Sequence, residues 1–164
     1  MARATDMLDR LNEFLRATLQ ASRSDAQGTA HTLAAEFARL NDYLAIMALR
    51  MGPRLSYTLD LPANLANHPV PALLLQPLVE NSVRHGLEPS VRGGSIHLCA
   101  HESQGFLCLT VRDDGAGFVA GNGSGFGLQQ VQERLSTAFG RSGQLLVSSE
   151  PGQGTTAIVR LPMA

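Results

Sequence analysis

Leu8, Leu11, Leu15 and Leu19 recur at steps of three and four residues, the spacing of one stripe along a helix. A polar, glycine-containing link from Ser22 to Gly28 separates them from a second stripe. That stripe, Leu33, Phe37, Leu40, Leu44 and Met47, is close to a heptad seam and stops at Gly52-Pro53, a strong helix terminator. Stripes of this kind most often serve as packing surface. Two in succession, ahead of a region with a different pattern, predict a helical hairpin over residues 1–52 with the capacity to pair with a second copy.

After Pro53 the period falls to two: Leu55, Tyr57, Leu59 and Leu61 alternate with polar residues and predict a strand. Ala72, Leu75, Val79 and Val83 then predict a helix from about Pro71 to His85. Alternating segments near Ile96 to His101 and Phe106 to Val111 read as a hairpin around Ser103-Gln-Gly105. A glycine-rich stretch from Gly115 to Gly127 opens into a helix over roughly Leu128 to Phe139. Two last strands, near Gln144 to Ser149 and Thr155 to Leu161, meet at a turn containing Pro151 and Gly152. Helices mixed with mostly antiparallel strands give an α+β class, a two-layer α/β sandwich over 53–164 preceded by the helical hairpin. There are no internal repeats.

Composition narrows the class of partner. The 164 residues are long enough to bury a core, and 44% apolar content fits a globular chain. With 13 basic against 14 acidic side chains there is no bulk electrostatic reason to expect nucleic acid or an anionic membrane. No apolar run approaches a membrane span, and the N-terminus lacks the apolar centre of a signal peptide, so the expected location is cytoplasmic. Cys99 and Cys108 fall in adjacent strands where they could face each other across the hairpin. Without an export signal they are expected to be two reduced, buried thiols. The ligand spacing of a zinc site is missing.

Four short motifs carry the candidate chemistry. On a helix, Asn81, Arg84 and His85 project together while Val79 and Val83 face inward. A neutral oxygen ligand, a fixed cation and an imidazole suit a metal-bridged polyphosphate. The plain alternative is a polar face with a histidine near the helix C-terminus. Asp113 ends a strand and is followed by Gly115 and Gly117. Its carboxylate suits an adenine amine, and a side chain at either glycine would obstruct the base. Asp-Gly pairs also form ordinary turns. Gly123, Gly125 and Gly127 precede the helix entered at Leu128, where backbone amides make an anion site. The alternative there is a flexible loop. No strand leads into these glycines, which excludes a Rossmann unit, and no Gly-Lys-Ser or Gly-Lys-Thr marks a P-loop. Gly154-Thr155 opens the last strand, where the threonine hydroxyl could reach a base edge. In this order and within one domain's length, the four describe a pocket for ATP and a divalent metal.

The set resembles the conserved boxes of the GHKL superfamily, which groups gyrase, Hsp90, histidine kinases and MutL on the Bergerat ATP-binding fold. The segments from Thr32 to Leu55, Pro71 to Asn81 and Gly127 to Leu135 narrow the resemblance to LytS-type sensor histidine kinases. The resemblance implies that Asn81 holds magnesium, that Arg84 and His85 lie near the phosphates, and that Asp113 binds the adenine amine. It further implies that Gly115 and Gly117 pass under the base, that Gly123, Gly125, Gly127 and Leu128 line the phosphate end, and that Thr155 supports the base edge. A short ATP lid would lie between Gly117 and Gly123. The implied cofactors are ATP and Mg2+. The implied partners are a response regulator, a second copy bound through the N-terminal helices, and an upstream phosphoacceptor and sensor region, with a parent protein anchored in the inner membrane.

Two departures qualify the resemblance. None of the histidines, His31, His68, His85, His97 and His101, sits in the Asn-Pro-His-Phe-like motif that these kinases phosphorylate. One helical turn before Asn81, where gyrase-like ATPases keep a general base, stands Pro77, and Glu80 points about 100° away around the helix. No catalytic residue is therefore assigned. The leading expectation is the ATP-holding part of a histidine kinase. Alternatives are a non-catalytic ATP-binding or dimerisation module, and an anti-sigma-type serine kinase.

Overall fold

Thr32 starts the long helix of the chain: its hydroxyl accepts from the Ala35 amide at 3.2 Å, the usual service of an N-cap. This helix, α1, runs Leu33–Met51 in a computed structural model that describes residues 8–11, 15, 31–87, 91–115, 125–150 and 152–163. The first amides of α1 would lack partners within the helix. Leu33 donates instead to the His68 carbonyl at 2.9 Å, and Ala34 to the Ala66 carbonyl at 2.8 Å. At the other end Gly52 caps the helix by donating to Ala48, and Pro53 prevents its continuation.

The stripe of α1 is used inside this chain. Leu33, Phe37, Leu40 and Leu44 are buried in the same core as the sheet, with Met47 packed at its edge. Residues 8–11 and 15 are also helical, and there Leu8, Leu11 and Leu15 are 60, 37 and 49% exposed. Leu19 and the Ser22–Gly28 link lie outside the described residues. No described helix is long and apolar enough to cross a membrane.

The sheet contains β1 (Leu55–Asp60), β2 (Gly94–Ser103), β3 (Phe106–Asp113), β4 (Gln144–Glu150) and β5 (Gly154–Pro162). Its order is β1-β2-β3-β5-β4, with β1 and β2 parallel and every other pair antiparallel. Alternation then sorts the side chains by face. Leu98, Val111, Ala157 and Val147 form one row across the helix-covered face, and Ala100, Leu109, Val159 and Leu145 form the next. The opposite face carries exposed Ser56, Thr58, His97, His101 and Arg112. Helix α2 (Gln76–Asn81), a π-helical turn (Ser82–Leu87) and helix α3 (Gly125–Phe139) complete the layer over the sheet. Val79, Val83, Val131 and Leu135 are their core contacts.

Three expectations need correction. The helix expected from Pro71 begins only at Gln76. Leu73 has a φ of 63°, which no α-helix accommodates, and Pro77 takes a first-turn position where its missing N–H costs nothing. Ala72 and Leu75 are buried as expected, but from a turn. The helix expected from Leu128 begins at Gly125, so Gly125 and Gly127 form its first turn and do not precede it. The cysteines do not stand opposite each other: Cys99 pairs with Thr110, and Cys108 with His101. Both are free thiols, but only Cys108 is buried; Cys99 is half-buried on the uncovered face.

One buried polar network ties α1 to α2. Glu36 is fully buried, and its carboxylate accepts from Arg39 at 2.6 Å, from the Leu75 amide at 2.8 Å and from His31 Nε2 at 3.1 Å. Arg39 also donates to Gln76 Oε1 at 3.2 Å, and Gln76 Nε2 donates to Glu80 at 2.9 Å. Burial alone would push the Glu36 carboxyl up. The His31 hydrogen bond, the Arg39 charge and the Leu75 amide outweigh it and hold the group below the usual carboxylate range. A depressed carboxyl stabilises the fold above its unfolded value, and that contribution is lost as pH falls through the folded value. Glu36→Gln should therefore lower the urea-unfolding free energy by about 3–5 kcal/mol, because Arg39 is left buried without its counter-charge. The variant should also lose part of the acid sensitivity of the wild type; equal stability and equal acid profiles would contradict the assignment.

Candidate nucleotide site

At one end of the helix-covered face the apolar rows give way to a polar one. Ile96, Asp113, Thr155 and Ser149 stand side by side on β2, β3, β5 and β4. Asp113 is 4% exposed, a position where carboxylates are rare unless paired. Its Oδ1 accepts from the Gly115 amide at 2.9 Å, while Oδ2 is buried and has no hydrogen-bond partner. Burial pushes the Asp113 carboxyl above its ordinary range, and the Gly115 amide and the Ser82 hydroxyl offset only part of that rise.

The backbone around Asp113 is packed too closely for side chains. A Cβ on Gly86 would lie 2.8 Å from Asp113 Oδ1, and one on Gly115 would lie 2.2 Å from the Gly86 carbonyl oxygen. Gly154 has a φ of 85°, and a Cβ there would come within 2.1 Å of the Asp113 carbonyl oxygen. The strand end is pinned further by Asp114, which accepts from the Ser95 amide at 2.7 Å and from its hydroxyl at 3.0 Å. Gly115 is thus required first by the protein's own backbone.

Asn81 closes α2, and the chain then widens into the π-helical turn, a distortion frequent at functional sites. Asn81, Arg84 and His85 were expected on one α-helical face. The turn alters that spacing but still leaves Arg84 and His85 exposed, with Val79 and Val83 buried. Asn81 is half-buried, and its Nδ2 is buried without a partner. Ser82, next in sequence, lies close enough to Asp113 to lower its titration, and Gly86 lies against the same carboxylate. The Asn81 segment and Asp113 therefore belong to one site. Gly125, Gly127 and Leu128 stand in the first turn of α3, where amides without helical partners cluster. Gly117, Gly123 and the lid between them lie outside the described residues.

Four contributors were not singled out from the sequence: Ser82, Gly86, Asp114 and Ser149. Gly86 lies inside the quoted Asn81 motif, but its need arises from a strand 27 residues later in the chain. Ser149 sits 2.7 Å from the Thr155 hydroxyl and 3.2 Å from the Gly154 carbonyl. Nothing in Val-Ser-Ser-Glu marks it, since its partners are set by strand register.

Comparison with known proteins agrees with this geometry. Residues 69–164 match the family described as histidine kinase-, DNA gyrase B- and HSP90-like ATPase, and residues 1–55 match a histidine kinase family. The sensor histidine kinase YesM of Bacillus subtilis is 35% identical over 73% of this chain and 22% of its own length. BtsS of Escherichia coli, also a sensor histidine kinase, is 33% identical over 80% of this chain and 24% of its own. The sensor protein LytS of Bacillus subtilis is 26% identical over 96% of this chain and 28% of its own. The chain thus spans about a quarter of the length of the curated relatives it matches. Among solved structures, the histidine kinase domain of the blue-light activated kinase EL346 of Erythrobacter litoralis superposes with a TM-score of 0.62 at 22% identity, over 96% of this chain and 75% of that one. The catalytic domain of histidine kinase ThkA gives 0.62 at 12% identity, over 82% of this chain and 96% of that one, a likeness of fold. With the ATPase family matched across more than half of its residues, the chain belongs to the histidine kinase-, DNA gyrase B- and HSP90-like ATPases, and its ATP-binding domain is homologous to the catalytic domains of sensor histidine kinases.

Proposed function

We propose that this chain holds ATP with magnesium and presents the γ-phosphate to a histidine supplied from outside it, as the catalytic part of a two-component sensor kinase. The observation that carries the reading is the buried, partnerless Oδ2 of Asp113, an acceptor fixed among backbone segments too close for side chains. An adenine amine satisfies it. Gly115 would then run beside the base, as Gly117, outside the described residues, is expected to do from the sequence, and Thr155 would support its edge. The Asn81 side-chain oxygen would contribute the metal ligand; its Nδ2 is buried without a partner and would need an acceptor of its own. Among the described residues no three His, Cys, Asp or Glu side chains group around a common point, so the ion draws mainly on phosphate and water oxygens. Arg84 and His85, exposed on the π-helical turn, would face the phosphates, and Gly125, Gly127 and Leu128 would receive them at the entry to α3, with Gly123 outside the described residues.

Bound ATP supplies an activated phosphoryl group, and the chain contributes position and charge neutralisation. No side chain is assigned as a base. Pro77 has none to offer, and the Glu80 carboxylate is tied to Gln76 on its own helix. The acceptor comes from elsewhere because the histidines are otherwise placed: His31 bonds to Glu36, His68 is half-buried in the loop whose backbone receives the start of α1, His85 is given to the phosphate end, and His97 and His101 face away from Asp113 on the uncovered side of the sheet. The same reading pairs two copies through the N-terminal helices, whose Leu8, Leu11 and Leu15 are exposed, and takes a response regulator as the onward partner. It places the chain in the cytoplasm, where ATP is found, below a membrane-anchored sensor.

With γ-labelled ATP and a supplied phosphoacceptor segment, the expected product is acid-labile label on that segment. Label on neither component would favour a non-catalytic ATP-binding module, and acid-stable label on an added protein would favour a serine kinase. Asp113→Asn should weaken ATP binding at least roughly tenfold, since the amide puts a donor where the adenine amine needs an acceptor. Wild-type affinity in that variant would remove the adenine assignment. Because only the ionised carboxylate is all-acceptor and its titration is shifted upward, wild-type ATP binding should begin to fall at a higher pH than an ordinary carboxylate would dictate. Asn81→Ala should abolish most of the magnesium dependence of ATP binding; a titration showing that dependence unchanged would rule out the metal role.

A further inference from the structure

Helix α2 is six residues long, too short to be stable alone, and Leu75, which precedes it, provides no capping side chain. Its entry is fixed instead by α1. The Leu75 amide donates to Glu36 at 2.8 Å, and the Gln76 side chain accepts from Arg39 at 3.2 Å. Gln76 is 7% exposed, and both polar ends of its side chain are used. A guanidinium only donates, so Oε1 must face Arg39, and Nε2 is left to donate to Glu80 at 2.9 Å. The amide can stand only one way round. Gln76 and Glu80, four residues apart, share the side of α2 that is tied to α1. Asn81 follows Glu80 at about 100° around the helix, so its direction is set once that side is held.

We propose that Gln76 is a positioning residue for the magnesium ion: by joining Arg39 to Glu80 it orients α2 so that the Asn81 side-chain oxygen meets the metal of the bound nucleotide. This rests on the proposed metal role of Asn81. Gln76 acts through Asn81 and is not itself a ligand. Glu80 becomes the far anchor of the relay, and what it contributes is an acceptor for Nε2, not a base. A relay of this kind tolerates exchange of its donor and acceptor. A carboxylate at position 76 would still accept from Arg39, and an amide at position 80 would donate to that carboxylate.

The test compares ATP affinity with magnesium and in EDTA, on one preparation of each full-chain variant, so that any unfolded fraction cancels in the ratio. Gln76→Ala should reduce the gain in affinity from magnesium by roughly tenfold, about the worth of one hydrogen bond, and leave the affinity in EDTA unchanged. Gln76→Glu should lower the gain as well, because it sets two carboxylates against each other. Adding Glu80→Gln to Gln76→Glu should restore it. A gain that stays at the wild-type level in Gln76→Ala, while Asn81→Ala abolishes it, overturns the role of Gln76 alone. A double variant as weak as Gln76→Glu overturns the relay and shows that the Glu80 carboxylate acts in its own right. An unchanged gain in Asn81→Ala removes the metal reading, and this inference with it.

Discussion

A carboxylate buried in a sheet is costly, and the geometry around Asp113 is what makes it tolerable. One oxygen is satisfied by the Gly115 amide, and the other is buried without a hydrogen-bond partner. To hold the group there, the segments carrying Gly86, Gly115 and Gly154 must approach one another at distances that admit no Cβ. The approach in turn requires β3 to end where it does, with Asp114 anchored to Ser95, and β5 to begin with a residue of positive φ. The raised titration of Asp113 reflects the same constraint, since burial disfavours its charge.

The polar row is effective because the rest of the helix-covered face is apolar. Leu98, Val111 and Ala157, with the row beyond them, fill the space under the helices and hold the strands in register. Register is what sets Thr155 beside Asp113 and Ser149 beside Thr155. A slip of one residue would turn all three to the uncovered face.

A second buried charge secures the other wall of the site. Glu36 reaches from α1 to the Leu75 amide, immediately before the helix that ends at Asn81, and the chain of contacts continues through Arg39 and Gln76 to Glu80. These groups come from α1 and from a segment about forty residues further on. Their pairing fixes where α2 begins, and therefore where Asn81 stands. A network of this kind adds rigidity and orientation more than net stability, because desolvation offsets much of the ionic attraction.

The order of elements and most core positions were legible from local spacing. The Leu33-to-Leu44 stripe, the alternation from Ile96 to Val111 and the stops at Gly52-Pro53 follow from periods that the backbone imposes within a few residues. Asn81, Asp113, Gly115 and Thr155 were legible as candidates because each needs a particular residue type at a turn or strand end. The late start of α2 follows from Pro77, whose first-turn preference prevails over the apolar spacing. Tertiary structure alone decided that Gly86 must be bare, that Ser82 comes close to Asp113, that Cys99 and Cys108 do not stand opposite each other, and that Ser149 meets Thr155. Periodicity is set by bonds within one turn or one strand. Which atoms meet across the fold depends on strand register and close packing between segments far apart in the chain, and no local pattern encodes those distances.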